Sequence, residues 1–444
     1  MTTLLYTEVE EELRAAVRAL LADRCPPPAV LKRVESPAPY DLDLWKTLAR
    51  EIGVAGLLIP EQYGGAGASA SEVAVVLEEL GRAVAPVPFF TSAVLSTHAL
   101  LTTHPEGPTT SARDTTLAPD TNDAPGTSGA LGASGSPTTG GAAATSGAPT
   151  GSGAAATSGV LDAGVALLGE LASGDTTAAL AIPFTATPYR PPAATVEVTG
   201  TGSLHGARDV SGAGDLSGAG DLSGTGAVLG AGEAAGVTLT GTVEDVAGAE
   251  VADVLLVPVS GSLYLVEAAH AQVNTRPSLD LTRPVATVTF AGAPARNLGA
   301  CDLGEVLRFG AGLMASEQLG VAEWCLETTL AYVRERHQFA RPIGSFQAIK
   351  HRLADLWLDV VRARAAARNA AADGSALAVA VAQAWNAGVA VHVAEEALQL
   401  HGGIGMTWEH PNHLYLKRAK ATEIALGTPG DHRAALAELA GLPG

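Results

Sequence analysis

Between Ala124 and Leu161 the chain carries no charged and no aromatic side chain, only Ala, Gly, Ser, Thr, Pro and a few Val or Leu. Such a tract cannot bury enough apolar area to offset its ordering entropy. We read about 104–160 as a disordered insertion. A second tract, Asp209 to Gly232, repeats Asp-Leu-Ser-Gly-Ala-Gly with a six-residue period. Two to three glycine-rich copies are too few to stack as a β-helix, so this too reads as an expanded loop, spanning about 205–234. The fold must therefore be assembled from the stretches between and beyond these tracts.

Those stretches change period along the chain. Val9, Leu13, Val17, Leu20 and Leu21 recur at helical spacing, as do Leu44, Leu48 and Ile52, then Val73, Val76, Leu77 and Leu80. Short β-rich runs follow at Ala178–Pro183, Ala194–Val198, Val237–Val243, Val251–Val259, Leu263–Val266 and Val285–Phe290. From Gly304 the helical period returns, with an apolar stripe from Ile349 to Val361 and an alanine-rich helix over Ala376–Leu400. The fold class is mainly α with a central β domain. We divide the 444 residues into an N-terminal helical domain (1–177), a β domain (178–298) and a C-terminal helical bundle (299–444).

Charge and cysteine usage exclude several functions. With 46 acidic against 27 basic residues the net charge is −19, which repels nucleic acid and anionic membrane. Cys25, Cys301 and Cys325 are far apart, with no metal-ligand spacing, so neither a disulfide framework nor a zinc site is expected. The acidic amino terminus is not a signal peptide, and no uninterrupted apolar run is long enough to span a bilayer. We expect a cytoplasmic protein.

Two motifs carry the chemistry. Arg334-Glu-Arg-His-Gln-Phe-Ala-Arg-Pro-Ile-Gly-Ser-Phe-Gln347 is a basic turn between two helices. Its arginines either complement a helix dipole or hold a pyrophosphate through forked hydrogen bonds. Gln399-Leu-His-Gly-Gly-Ile-Gly-Met-Thr-Trp-Glu-His-Pro411 ends a helix at paired glycines, either a plain cap or a place where backbone approaches a ligand closely.

Together these motifs resemble the acyl-CoA dehydrogenase family of flavoproteins: the RxxF-G turn followed by a glutamine, and the Q-x-x-GG-x-G loop with Tyr415-Leu-Lys-Arg-Ala-Lys420 downstream. Leu58-Ile-Pro-Glu-Gln-Tyr-Gly-Gly65, Leu77-Glu-Glu-Leu-Gly-Arg82 and Leu279-Asp-Leu-Thr-Arg283 are similar to the family as well. The resemblance implies a helical–β–helical fold with a β-barrel or sandwich at its centre and a C-terminal four-helix bundle. It implies FAD as cofactor and an acyl-CoA or other acyl thioester as substrate; from the cysteine spacing, no metal is expected. Carried over by residue, Arg336, Phe339 and Gln347 would contact the FAD of a neighbouring subunit. Gln399, Gly402 and Gly403 would line its adenine or pyrophosphate end, and Thr428, which matches the threonine that follows the family's catalytic Glu-Gly, would also contact the cofactor. A homo-oligomer, or a hetero-oligomer with a related dehydrogenase subunit, is implied, with electron-transfer flavoprotein as a further partner class.

The sequence departs from the family where chemistry is decided. A carboxylate must take the proton α to the thioester. The usual position reads Ala425-Leu426-Gly427-Thr428, and the alternative position on the first bundle helix reads Gly310-Ala311. The catalytic residue is thus unknown. Glu317, two turns beyond Gly310, reads as a solvated or interface residue, and nothing places Glu305, Glu409 or Glu423 at a thioester. The strand motif whose threonine bonds the flavin aligns with Asp245-Val246-Ala247, and Ile182–Pro188 lacks the family's Thr-Glu-Pro-Gly loop. The pattern fits a subunit lacking the usual glutamate in an enzyme of α,β-dehydrogenation. The alternatives are a homo-oligomeric flavoprotein with different chemistry on an acyl thioester, or a non-catalytic structural partner.

Overall fold

The computed structural model describes residues 4–103, 154–200 and 236–442. The first region holds α1 (Glu8–Arg24), α2 (Pro27–Val34), α3 (Leu42–Thr47), α4 (Ala70–Ala83) and α5 (Thr97–Thr102), the last entered through a π-helical turn at Phe89–Ser96. Thr7 and Ser69 start α1 and α4 with capping boxes, each side chain exchanging hydrogen bonds with a glutamate three residues on. Helix α6 (Ala154–Ser173) begins inside the stretch expected to be a disordered insertion. Its opening alanines are the best helix formers, so the insertion ends earlier than charge and aromatic content indicated. The rest of that insertion and the whole of the second lie outside the described residues.

The central domain is a seven-stranded sheet: β1 (Ala178–Leu180), β2 (Val196–Thr199), β3 (Val237–Ala247), β4 (Val254–Val259), β5 (Ser262–Glu267), β6 (Ala271–Arg276) and β7 (Val285–Ala300). Strands run in the order β1-β4-β5-β7-β3-β2, with β6 also on β7; only β1–β4 is parallel. β7 is 16 residues long and joins two halves of the sheet, pairing β3 and β6 through its first part and β5 through its last. β6 was not among the runs read from sequence. Its Gln272, Asn274 and Thr275 dilute the apolar signal, and its burial is correspondingly patchy.

The C-terminal part comprises α7 (Leu303–Glu335), a hairpin of β8 (His337–Gln338) and β9 (Arg341–Pro342), then α8 (Gln347–Asp373), α9 (Ala376–His401), α10 (Asn412–Ile424) and α11 (Pro429–Leu439). Among the described residues, Ala376–Met406 alone is long and apolar enough to cross a membrane, but most of its apolar surface is packed inside the bundle. Alanine dominates these helices because they lie close together.

Helices α4 and α7 approach each other backbone to backbone. A Cβ on Gly81 would overlap the carbonyl oxygen of Glu317, and a Cβ on Gly320 would overlap that of Glu78. Each helix thus sets a bare glycine against the other's backbone. Around this crossing Arg14 reaches Glu79 at 3.0 Å, Arg18 reaches the same carboxylate at 2.7 Å, and Arg364 of α8 reaches Glu323 at 2.6 Å. The carboxylates of Glu78, Glu79 and Glu323 are all buried.

Gly320→Ala isolates the crossing. Alanine favours an isolated helix by about 1 kcal/mol over glycine. Here overlap with backbone outweighs that gain, because backbone cannot rotate aside. We expect a net loss of about 1–3 kcal/mol or more in urea unfolding, with Gly388→Ala, where nothing lies within 4 Å, as the neutral or stabilising control.

Candidate functional site

At the junction of the β domain with the bundle, four charges are held out of water. Asp280, Thr282 and Arg283 lie on the turn between β6 and β7, Glu317 on α7 and Arg418 on α10. Arg418, 1% exposed, donates to Asp280 at 2.5 Å, to Glu317 at 3.0 Å and to the Thr282 hydroxyl at 2.5 Å. Arg283 donates to the other oxygen of Glu317, and its guanidinium lies 5.3 Å from the Phe90 ring centroid and 5.6 Å from that of Phe184. Two guanidiniums balance two carboxylates, which is the condition for burying them. Glu317 is therefore not the solvated or interface residue that its sequence context had indicated: it is 1% exposed and committed to two arginines. Burial opposes its ionisation, but Arg283 and Arg418 outweigh that and hold the carboxyl below its usual range. Its partner Arg418 lies 101 residues away in sequence, a pairing no local pattern reveals. Arg418→Met leaves Asp280 and Glu317 unpaired in the interior and is expected to cost about 3–5 kcal/mol in denaturant unfolding.

The two sequence positions expected to hold a base converge. A Cβ on Gly310 would overlap Leu95 and stand 3.0 Å from Leu426 Cδ1. Leu426 is fully buried, with φ 53°, a left-handed conformation that leucine rarely adopts. Its N–H donates to the Phe184 carbonyl at 2.9 Å, and the Phe184 N–H donates to the Asp245 carbonyl at 2.9 Å. The backbone of Phe184 thus ties the Leu426 loop to the end of β3. Asp245, also at positive φ, turns outward and pairs with Arg276 at 3.1 Å. Of the other glutamates considered from sequence, Glu409 is exposed, Glu305 lies in the first turn of α7, and Glu423 faces Lys420 at 3.7 Å.

Sequence reading missed two residues that fasten this loop. His432 is fully buried, its Nε2 3.2 Å from the Leu426 carbonyl and its Nδ1 2.8 Å from the Tyr189 hydroxyl. A carbonyl only accepts, so Nε2 carries the proton and the tyrosine donates to Nδ1. Thr428, expected at the cofactor, caps α11: its hydroxyl donates to Asp431 at 2.7 Å and accepts from the Asp431 N–H at 3.2 Å. Burial pushes the His432 imidazole down to about 4. The unfolded chain takes that proton below about pH 6.5 and the folded chain does not until about 4, so stability is lost as pH falls through this window, by about 3 kcal/mol. His432→Gln keeps an N–H for Leu426 without titrating. It is expected to flatten the fall of melting temperature between pH 6.5 and 4.

The remaining predicted site residues gather at the far end of α7. Arg336 caps the helix, donating its N–H to Tyr332 and accepting from Ile343, both at 2.8 Å. Phe339 and Ala340 form the two-residue turn of the hairpin, at φ 52° and 62°. Such a turn matches strand twist but ordinarily takes Asn-Gly, so two residues with side chains here carry strain. The strained turn presents Phe339 87% exposed. Behind it, Arg341 lies 3.9 Å from the Phe346 ring centroid, and Gln347 opens α8 with its side chain exposed. Tyr332 stacks on His401 at 4.5 Å, which brings the end of α9 alongside. There Gln399 is exposed, and Gly402 and Gly403 have nothing within 4 Å of a Cβ position. Arg336, Phe339, Gln347, Gln399, Gly402 and Gly403 therefore share one end of the bundle. Thr428 does not: it belongs to the Leu426 corner, 22 residues or about 33 Å away along α7 from Gly310 to Tyr332.

Comparison with known proteins agrees with this architecture. Residues 299–440 match the acyl-CoA dehydrogenase C-terminal domain and residues 7–104 the N-terminal domain. A curated relative, "Acyl-CoA dehydrogenase IpdE2" of Mycolicibacterium smegmatis, is 29% identical over 95% of this chain and 96% of its own length. "Acyl-CoA dehydrogenase FadE34" of Mycobacterium tuberculosis is 40% identical over 44% of this chain and 28% of its own. Among solved structures, the ChsE4-ChsE5 complex from Mycobacterium tuberculosis superposes over 100% of both chains with a TM-score of 0.70 and 26% identity. The chain belongs to the acyl-CoA dehydrogenase family.

Proposed function

We propose that this chain is a subunit of an FAD-dependent enzyme that dehydrogenates an acyl thioester at its α,β bond, and that it lends contacts to a related subunit's flavin while lacking the usual catalytic glutamate. One observation carries the reading: Gly310 and Leu426, the two positions where the family places its base, abut each other and Leu95, and neither bears a carboxylate. No neutral hydrocarbon can accept the α proton.

The two ends of α7 differ in how well they fit a flavin dinucleotide. The hairpin end offers guanidiniums, an exposed aromatic ring and bare glycine backbone, a donor set suited to pyrophosphate and to a planar ring system. Arg336, Phe339 and Gln347 would hold the dinucleotide, with Gln399, Gly402 and Gly403 against its adenine end. The Leu426 end fits poorly: Ala247 stands where a hydroxyl would meet the ring, Asp245 two residues before it is turned outward and ion-paired, and Phe184 fastens the loop to β3. Flavin, when bound, supplies the hydride acceptor; this chain's part is to bind and orient it and to keep water away. Two structural neighbours, ChsE4-ChsE5 and Tcur3481-Tcur3483, are named as pairs of subunits, which supports a heteromeric assembly. Electron-transfer flavoprotein fits as the acceptor of the electrons.

The test is co-expression with a related dehydrogenase subunit. Arg336→Ala is expected to lower the flavin retained by the purified complex at least fivefold, with the melting temperature of this chain unchanged. A homo-oligomer of this chain alone, holding one FAD per chain that an acyl-CoA bleaches, overturns the reading.

A further inference from the structure

Between α9 and α10 the chain forms a strap, residues 402–411. Trp408 in this strap reaches the N-terminal region and donates its indole N–H to Glu35, just past the end of α2, at 2.5 Å. Two residues one turn apart on α10 hold the same indole. His413 stacks on it with ring centroids 4.3 Å apart, and the Lys417 ammonium lies 4.5 Å from the ring centroid. At the root of the strap His401 stacks on Tyr332 of α7, and its ring centroid lies 4.6 Å from that of His410.

Each of these three histidines is held in a form with no place for a second proton. His401 Nδ1 donates to the Ala397 carbonyl at 2.7 Å, so Nε2 is the bare nitrogen; it is buried, with no hydrogen-bond partner among the described residues. His413 donates from Nε2 to the Trp408 carbonyl at 3.1 Å, which leaves its Nδ1 bare, buried and equally unpartnered. His410 Nδ1 accepts the Asn412 N–H at 3.3 Å, so it too is unprotonated. Charging any of the three breaks a contact or buries an unsatisfied N–H. The surrounding charges offer no relief. Lys417 faces His413, Asp280 lies beyond Lys417, Glu35 is taken by the indole, and Glu409 is exposed. Burial holds all three imidazoles below their ordinary range, helped at His410 by its two histidine neighbours and at His413 by Lys417.

We propose that this strap is an acid-released latch between the bundle and the N-terminal region, closed while His401, His410 and His413 are neutral and opened when they take protons from solvent, freeing Trp408 from Glu35 and from α10. An open strap binds protons near the ordinary imidazole value of about 6.5, and a closed one only at lower pH. Closure is therefore complete above that value and is lost as pH falls below it, by up to about tenfold per pH unit for each proton taken up. Opening alters the tie to α2 and the setting of the Gly402 and Gly403 backbone, whatever the bundle binds there.

Hydrogen exchange of the full chain at about pH 7.5 and about pH 5.5, read by mass spectrometry and corrected for the intrinsic pH dependence of exchange, tests the latch. Protection over residues 402–413 is expected to fall at least about tenfold, while the buried stretch 311–326 of α7 keeps its protection. The double variant His410→Gln, His413→Gln keeps polar side chains that do not titrate and is expected to limit the fall to about threefold. Trp408→Phe removes the indole N–H at a residue 46% exposed, so it is expected to fold and to open at higher pH than the parent chain. Protection of the strap that does not change with pH overturns the proposal. So does an equal fall in the double variant, or a Trp408→Phe profile that matches the parent. A fall shared by 311–326 overturns it as well, since the whole bundle would then be unfolding in acid.

Discussion

The architecture depends on a backbone-to-backbone contact between α4 and α7. Each helix gives up a side chain, at Gly81 and at Gly320, so that the other's carbonyl can occupy the space. This approach draws together carboxylates from both helices that would otherwise repel. It succeeds only because arginines from α1 and α8 close over them. The same helix α7 carries Glu317 into the β-domain junction, where Arg283 and Arg418 neutralise it. Domain arrangement in this chain is set as much by where charges can be compensated as by where apolar area is buried.

Much of the fold was legible because it rests on local periodicity. The helical stripes, the β-rich middle and the glycine- and arginine-bearing turns are each written within about 15 residues. What was not legible depends on residues distant in sequence. Glu317 read as an ordinary surface glutamate until Arg418 and Arg283 arrived from α10 and from the turn before β7. Tyr189 and His432, 243 residues apart, meet only in space. The start of α6 was missed for a different reason: alanine signals both low complexity and helix, and composition alone does not separate them.

The candidate site shows the same division. Arg336, Phe339, Gln347, Gln399, Gly402 and Gly403 were assigned by motif, and the structure gathers them at one end of the bundle through the Tyr332–His401 stack. Thr428 was assigned by its neighbours in sequence and turns out to serve its own helix as a cap. Next to it, Leu426 takes a strained backbone conformation and is fastened there by Phe184 and His432.

Helix α7 is 33 residues long and crosses α4 by direct backbone contact, so it cannot slide or shorten without breaking that crossing. It therefore behaves as a ruler. The hairpin tip and the Leu426 loop stand at a fixed separation, and any protein that engages both must present matching features at that spacing. Complementarity of length, over and above complementarity of surface, would then decide which chains this one accepts.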